Sequence, residues 1–112
     1  MVEQEPDDLK LDAVFQALSH PIRRAILEQL TDGPESVGNL AEPHDVSLPA
    51  VSKHLRVLED AGLLNVEKDG LVRRCHLDAV PLSAAFGWLT QYRVFWEDRL
   101  AALADHLENE NQ

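Results

Sequence analysis

Three donor side chains fall close together in this chain: Lys53, His54 and Arg56. Ser47, Pro49 and Ser52 precede them, and Lys68, Arg73 and Arg74 follow. Ammonium, guanidinium, imidazole and hydroxyl groups without a spaced carboxylate pair suit phosphates and base edges, not acid–base catalysis. No nucleophile–base motif, phosphate loop or metal cluster accompanies them, so an enzyme is not expected. The five histidines, His20, His44, His54, His76 and His106, are scattered and show no H-x-x-x-H spacing. Neither a metal nor another cofactor is expected. The one cysteine, Cys75, excludes an internal disulfide and reads more readily as a small packed residue than as a redox switch.

These residues lie in the stretch Ser47–Leu77, SLPAVSKHLRVLEDAGLLNVEKDGLVRRCHL. Ser47 is a good N-cap, and Pro49 falls in the first turn, where a missing N–H costs little. Leu48, Val51, Leu55 and Leu58 recur at helical spacing as one apolar stripe. Lys53 and Arg56 then project outward with His54, and Ala61-Gly62 closes the helix. Leu64–Val66, a Lys68-Asp69-Gly70 turn and Leu71–Leu77 read as a hairpin. Arg73 and Arg74 alternate across the return strand, so only one of them is expected on a given face. A basic helix followed by a basic hairpin can place the helix in a major groove and the hairpin on the neighbouring backbone.

At 112 residues the chain is expected to form one domain with one modest core. No run is apolar enough for a membrane span and no signal-peptide pattern opens it, so a cytoplasmic place is the default. The formal charge of −10 runs against DNA binding. Its distribution softens that. From Ser47 to Leu77 five basic residues face four acidic ones, a net +1, and the remainder carries −11. Acid gathers in EQEPDD and HLENENQ, which read as solvated tails over 1–8 and 109–112; adaptation to a salt-rich cytoplasm is the sharper alternative.

The domain proper is expected over 9–108. Leu11, Val14, Phe15 and Leu18 mark a first helix. Pro21 opens a second, running to about Thr31. Ser36 caps a short third over VGNLAE, and the helix from Ser47 is the fourth. After a break at Asp78–Pro81, residues 82–108 read as one long helix with Leu89, Tyr92, Trp96, Leu100, Leu103 and Leu107 in steps of three and four, widened by Trp88, Phe95 and Leu82. The fold class is therefore mainly α with a small β-hairpin: a winged helix-turn-helix with an extra long C-terminal helix.

The segments LSHPIRRAILEQL, VGNLAE, SLPAVSKHLRVLEDAGLL and VEKDGLVRRCHL resemble the ArsR/SmtB family of winged-helix transcriptional repressors. The tail AFGWLTQYRVFWEDRLAALADHL is similar to a non-metal branch of that family. The resemblance implies a homodimer whose first and last helices pair across a two-fold axis, repression by occupying promoter DNA, and in many members release by an inducer. Here VGNLAEPHDV lacks the paired cysteines of the metal sensors, and the last helix holds a single histidine, His106. A soft-metal thiolate site needs more than Cys75, which leaves any small-molecule inducer unidentified.

On this reading double-stranded DNA meets Ser47, Pro49, Ser52, Lys53, His54, Arg56, Lys68, Arg73 and Arg74. The dimer interface is expected from Leu11, Val14, Phe15, Leu18, Leu89, Tyr92, Phe95, Trp96, Leu100, Leu103 and Leu107. The aromatic group Trp88, Tyr92, Phe95 and Trp96 reads first as core or interface and second as the lining of an inducer pocket. The alternative function is a winged-helix protein-interaction dimer that has lost DNA binding, for which the acidity is the motive.

Overall fold

Six helices and three short strands follow one another in a computed structural model that describes residues 6–110. The acidic residues through Glu5 and the final Asn111-Gln112 lie outside the described residues. Helix α1 spans Pro6–Leu18 and α2 Pro21–Gln29, extended by a 3-10 turn at Leu30–Asp32. Strand β1 (Glu35–Ser36) leads into α3 (Val37–Ala41), whose N-cap Ser36 accepts from the Asn39 N–H. Helix α4 runs from Leu48 to Asp60, and β2 (Leu64–Asp69) and β3 (Val72–Leu77) form the wing. Helices α5 (Leu82–Thr90) and α6 (Arg93–Glu110) complete the chain.

The core lies where α2, α3 and α4 meet the inner face of the wing. Ile26, Leu40, Val51, Leu58, Leu63, Leu64 and Cys75 are fully buried there. Each large aliphatic side chain so buried contributes about 1.5–3 kcal/mol over leaving it in water. Helix α4 is fixed at both ends. Ser47 Oγ accepts from the Ala50 N–H at 3.2 Å. At the other end the Gly62 N–H reaches Glu59 O at 2.9 Å and the Leu63 N–H reaches Leu58 O at 3.0 Å. That pair of bonds is the Schellman pattern, and it needs the positive φ of +79° that Gly62 supplies. Leu58 and Leu63 are both buried beneath it.

Residues 6–8 and 109–110, expected in the tails, are helical; two further expectations about elements change and one strand is added. The 82–108 helix is broken at Gln91-Tyr92 into α5 and α6. The backbone bonds there, Tyr92 N–H to Leu89 O and Phe95 N–H to Tyr92 O, are one residue tighter than α-helical ones. Thr90 Oγ1 bonds back to Gly87 O at 2.8 Å and Gln91 Nε2 to Trp88 O at 2.8 Å, so side chains compete with the helical ladder at the break. The wing turn is Gly70-Leu71, not Lys68-Asp69-Gly70, because β2 runs on through Asp69, which pairs with Val72. Gly70, with φ +66°, takes the first central position that a tight two-residue hairpin gives to glycine. Strand β1 joins the sheet in the order β1-β3-β2, with Glu35 opposite Cys75 and Ser36 opposite Arg74.

The two helices expected at the dimer interface are unlike each other in burial. Val14 is 1% exposed, so it is taken up inside its own chain and has no surface left for a partner. Leu18 packs against the core edge, and Leu11 and Phe15 are half-buried. Phe15 meets Trp88 edge-on at 5.8 Å, and the rings of Tyr92 and Phe95 continue that row. Leu89, Tyr92, Phe95, Trp96, Leu100, Leu103 and Leu107 are all exposed, and α6 has no buried residue. The radius of gyration, 17.9 Å, exceeds the about 13 Å of a packed chain near this length, as it must when α6 stands off the body. Among the described residues no helix is long and apolar enough to cross a membrane.

Candidate nucleic-acid interface

Helix α4 presents two unlike faces. Val51, Leu55 and Leu58 point inward, and Pro49, Lys53 and Arg56 are exposed, with Ser52 half-buried between. The exposed set follows the same three- and four-residue steps as the buried one, displaced around the helix axis. Ser47 is exposed and caps the helix. Its O–H remains free in geometry to donate, since the cap uses only its acceptor side.

The wing supplies the second half. Lys68 and Arg73 are cross-strand partners, as are Glu67 and Arg74. Alternation puts Lys68 and Arg73 on the face that carries buried Cys75, and Arg74 on the opposite face with Glu67. Of the two arginines, Arg73 is therefore the one turned toward α4. It lines a groove of about 310 Å³ together with Ser52, Lys53, Arg56 and Glu59. Two like charges directly opposite on one strand pair repel, so Lys68 and Arg73 gain from a bound anion. On the other face Glu67 bonds His76 Nε2 at 2.9 Å beside Arg74, and charge there is already balanced. Glu59 in the groove escaped the sequence reading; its step of three beyond Arg56 was the available signal.

His54 departs from the expected outward position. It lies three residues after Val51 and four before Leu58, on the buried side of α4. Its Nδ1 is 3.1 Å from Arg23 Nη1, and its ring centroid is 4.2 Å from that of His20. A guanidinium has only donors, so the His54 Nδ1 must be the acceptor and its proton sits on Nε2. Burial first, then the charges of His20, Arg23 and His44, hold the His54 imidazole below its ordinary value.

Arg23, absent from the sequence reading, is the hub of this arrangement. It is buried, yet its Nε donates to Ala17 O at 2.8 Å and its Nη2 to Gln16 O at 2.8 Å and Ser19 Oγ at 3.1 Å. Arg24 Nη1 donates to Leu18 O at 2.7 Å. Together the two arginines satisfy the orphan carbonyls at the C-terminus of α1, where the helix dipole favours a cation. His20 caps α2 by accepting from the Ile22 N–H at 3.1 Å. His44 bonds Gln29 at 2.9 Å, tying the α3–α4 connection to α2. Through His54 and His44, α4 and the segment before it are tied to α2.

Leu48 also departs from expectation. Its spacing places it in the inward stripe, but it is 55% exposed, because it is the first helical residue and the core ends beneath Val51. Among the described residues no group of three or more His, Cys, Asp or Glu side chains is placed to hold a metal ion. Cys75 is buried in the wing, where burial raises its thiol pKa.

A helix-turn-helix domain family matches residues 18–67, the span from the end of α1 into β2. The chain is 40% identical to the HTH-type transcriptional regulator Rv2034 of Mycobacterium tuberculosis, over 88% of this chain and 90% of that one. It is 30% identical to the transcriptional repressor SdpR of Bacillus subtilis, over 73% of this chain and 91% of that protein. Among solved structures, that of an ArsR family transcriptional regulator superposes with a TM-score of 0.74 at 41% identity, covering 86% of this chain and 97% of the other.

Proposed function

Because the chain belongs to the ArsR family of winged-helix transcriptional regulators, we propose that it represses transcription by binding an inverted-repeat operator as a homodimer. The observation that carries the DNA-binding part is the groove in which Lys53 and Arg56 of α4 face Arg73 of the wing. In a helix-turn-helix protein the second helix of the motif enters the major groove, and here that helix is α4. Lys53 and Arg56 take base edges, with Ser52 beside them and Ser47 and Pro49 in the first turn. Lys68 and Arg73 take phosphates. His54 is a positioning residue, held between Arg23 and His20, and Arg74 serves the sheet.

Pairing rests on α6. A helix in a protein owes most of its stability to packing an apolar face. With Leu89, Trp96, Leu100, Leu103 and Leu107 exposed, a second copy of the same helix is the occupant that buries them, with Phe15 and Trp88 beside the seam. The name of SdpR supports repression as the outcome of binding.

The test is a fluorescence-anisotropy titration on duplexes that the wild-type protein enriches from a random-sequence pool. Lys53→Ala and Arg56→Ala should each cost about 1–3 kcal/mol of specific affinity. A double variant with unchanged affinity removes α4 from the interface. A pool from which no duplex is enriched favours the protein-interaction reading instead.

A further inference from the structure

We propose that Leu48 is a specificity-determining residue that reads thymine, by packing against its C5-methyl group in the major groove. The inference rests on α4 being the DNA-reading helix and adds what its first turn selects. Leu48, Ser52 and Arg56 are spaced four residues apart, so they form one row along α4, and the row leads to a guanidinium suited to a base edge. Leu48 begins that row with an apolar side chain 55% exposed.

The first turn has little else to offer a base. Pro49 is exposed and has no donor. The Ser47 hydroxyl accepts from the Ala50 N–H as the cap, which leaves it a single O–H donor. Val46, immediately before the cap, is apolar and 42% exposed. Contact of this turn with the groove floor is therefore chiefly apolar contact. Of the four bases only thymine presents an apolar group on its major-groove edge. The space beside Leu48 is open: the side chain borders a recess of about 360 Å³ shared with Leu71, Val72 and Arg73 of the wing. A methyl group entering there removes both itself and Leu48 from water.

Uracil in place of thymine keeps every hydrogen bond of the pair and deletes only the methyl, so it isolates the contact. The enriched duplex is synthesised once with thymine and once with uracil. Wild type should bind the uracil duplex more weakly, by about fourfold for each methyl covered, the value of one buried carbon. Leu48→Ala, an exposed substitution that leaves the core intact, should bind the thymine duplex more weakly than wild type and should not distinguish the two duplexes. Equal wild-type affinity for both duplexes overturns the assignment. So does a Leu48→Ala variant that discriminates as well as wild type, because another residue then reads the methyl. Either result leaves DNA binding by α4 standing, whereas failure to enrich any duplex removes that reading and this one with it.

Discussion

Arg23 illustrates how much one buried cation organises here. Its guanidinium closes the carbonyls of Gln16 and Ala17 and reaches His54 on α4. Arg23→Ala leaves buried acceptors without donors, which should destabilise the fold by about 1–3 kcal/mol in urea denaturation. The same contact makes stability depend on pH. His54 has its pKa lowered below the ordinary imidazole value of 6.5 in the folded chain. The unfolded chain thus takes up its proton first as pH falls. Stability from the neutral ring is complete above about pH 6.5 and declines as pH drops below it toward the depressed value. The urea midpoint should fall between pH 7.5 and pH 5.5 in wild type and fall less in His54→Gln. Equal declines would show that another group titrates. The inward position of His54 was legible in the sequence, from its spacing to Val51 and Leu58; its place between Lys53 and Arg56 pointed to the wrong face. The role of Arg23 was not legible, since nothing local tells that its partners are carbonyls of the preceding helix.

At the scale of elements, what the sequence revealed were features with local causes. Ser47, Ser36 and Gly62 cap where their side chains or backbone freedom require. Leu64 to Leu77 makes a hairpin because glycine at position 70 allows the tight turn. Two features had no local cause to read. Strand β1 is two residues long and exists because Glu35 and Ser36 meet β3 across forty residues of chain. The break at Gln91-Tyr92 interrupts an unbroken apolar periodicity, and only the hydrogen bonds reveal it. The wing yields a prediction of its own. Lys68→Ala and Arg73→Ala should each flatten the slope of log affinity against log salt by about 0.9, the signature of one lost phosphate contact. Arg74→Ala, on the other face beside Glu67, should leave that slope unchanged. Three slopes equal to that of the wild type would place the wing away from the backbone, and a change confined to Arg74 would reverse the face.

The whole molecule is an operator reader only if two copies combine, since two recognition helices must span major grooves about 34–36 Å apart. Leu100→Glu puts a charge into the exposed row of α6 without touching the core of the single chain. It should give a folded monomer by light scattering that has lost specific operator affinity by anisotropy. A folded monomeric variant with full affinity, or a wild type that is monomeric at micromolar concentration, would defeat the dimer reading. The break between α5 and α6 then acquires a mechanical meaning. Helix α6, with 18 residues, is a rigid strut about 27 Å long. A swing of about 10° at its foot carries the far end through about 5 Å, roughly one turn of helix rise. In the proposed dimer, Gln91-Tyr92 would be the fulcrum of a pair of calipers whose points are the two copies of α4. The gap between the points would then be set less by the core than by two exposed residues that no core side chain clamps.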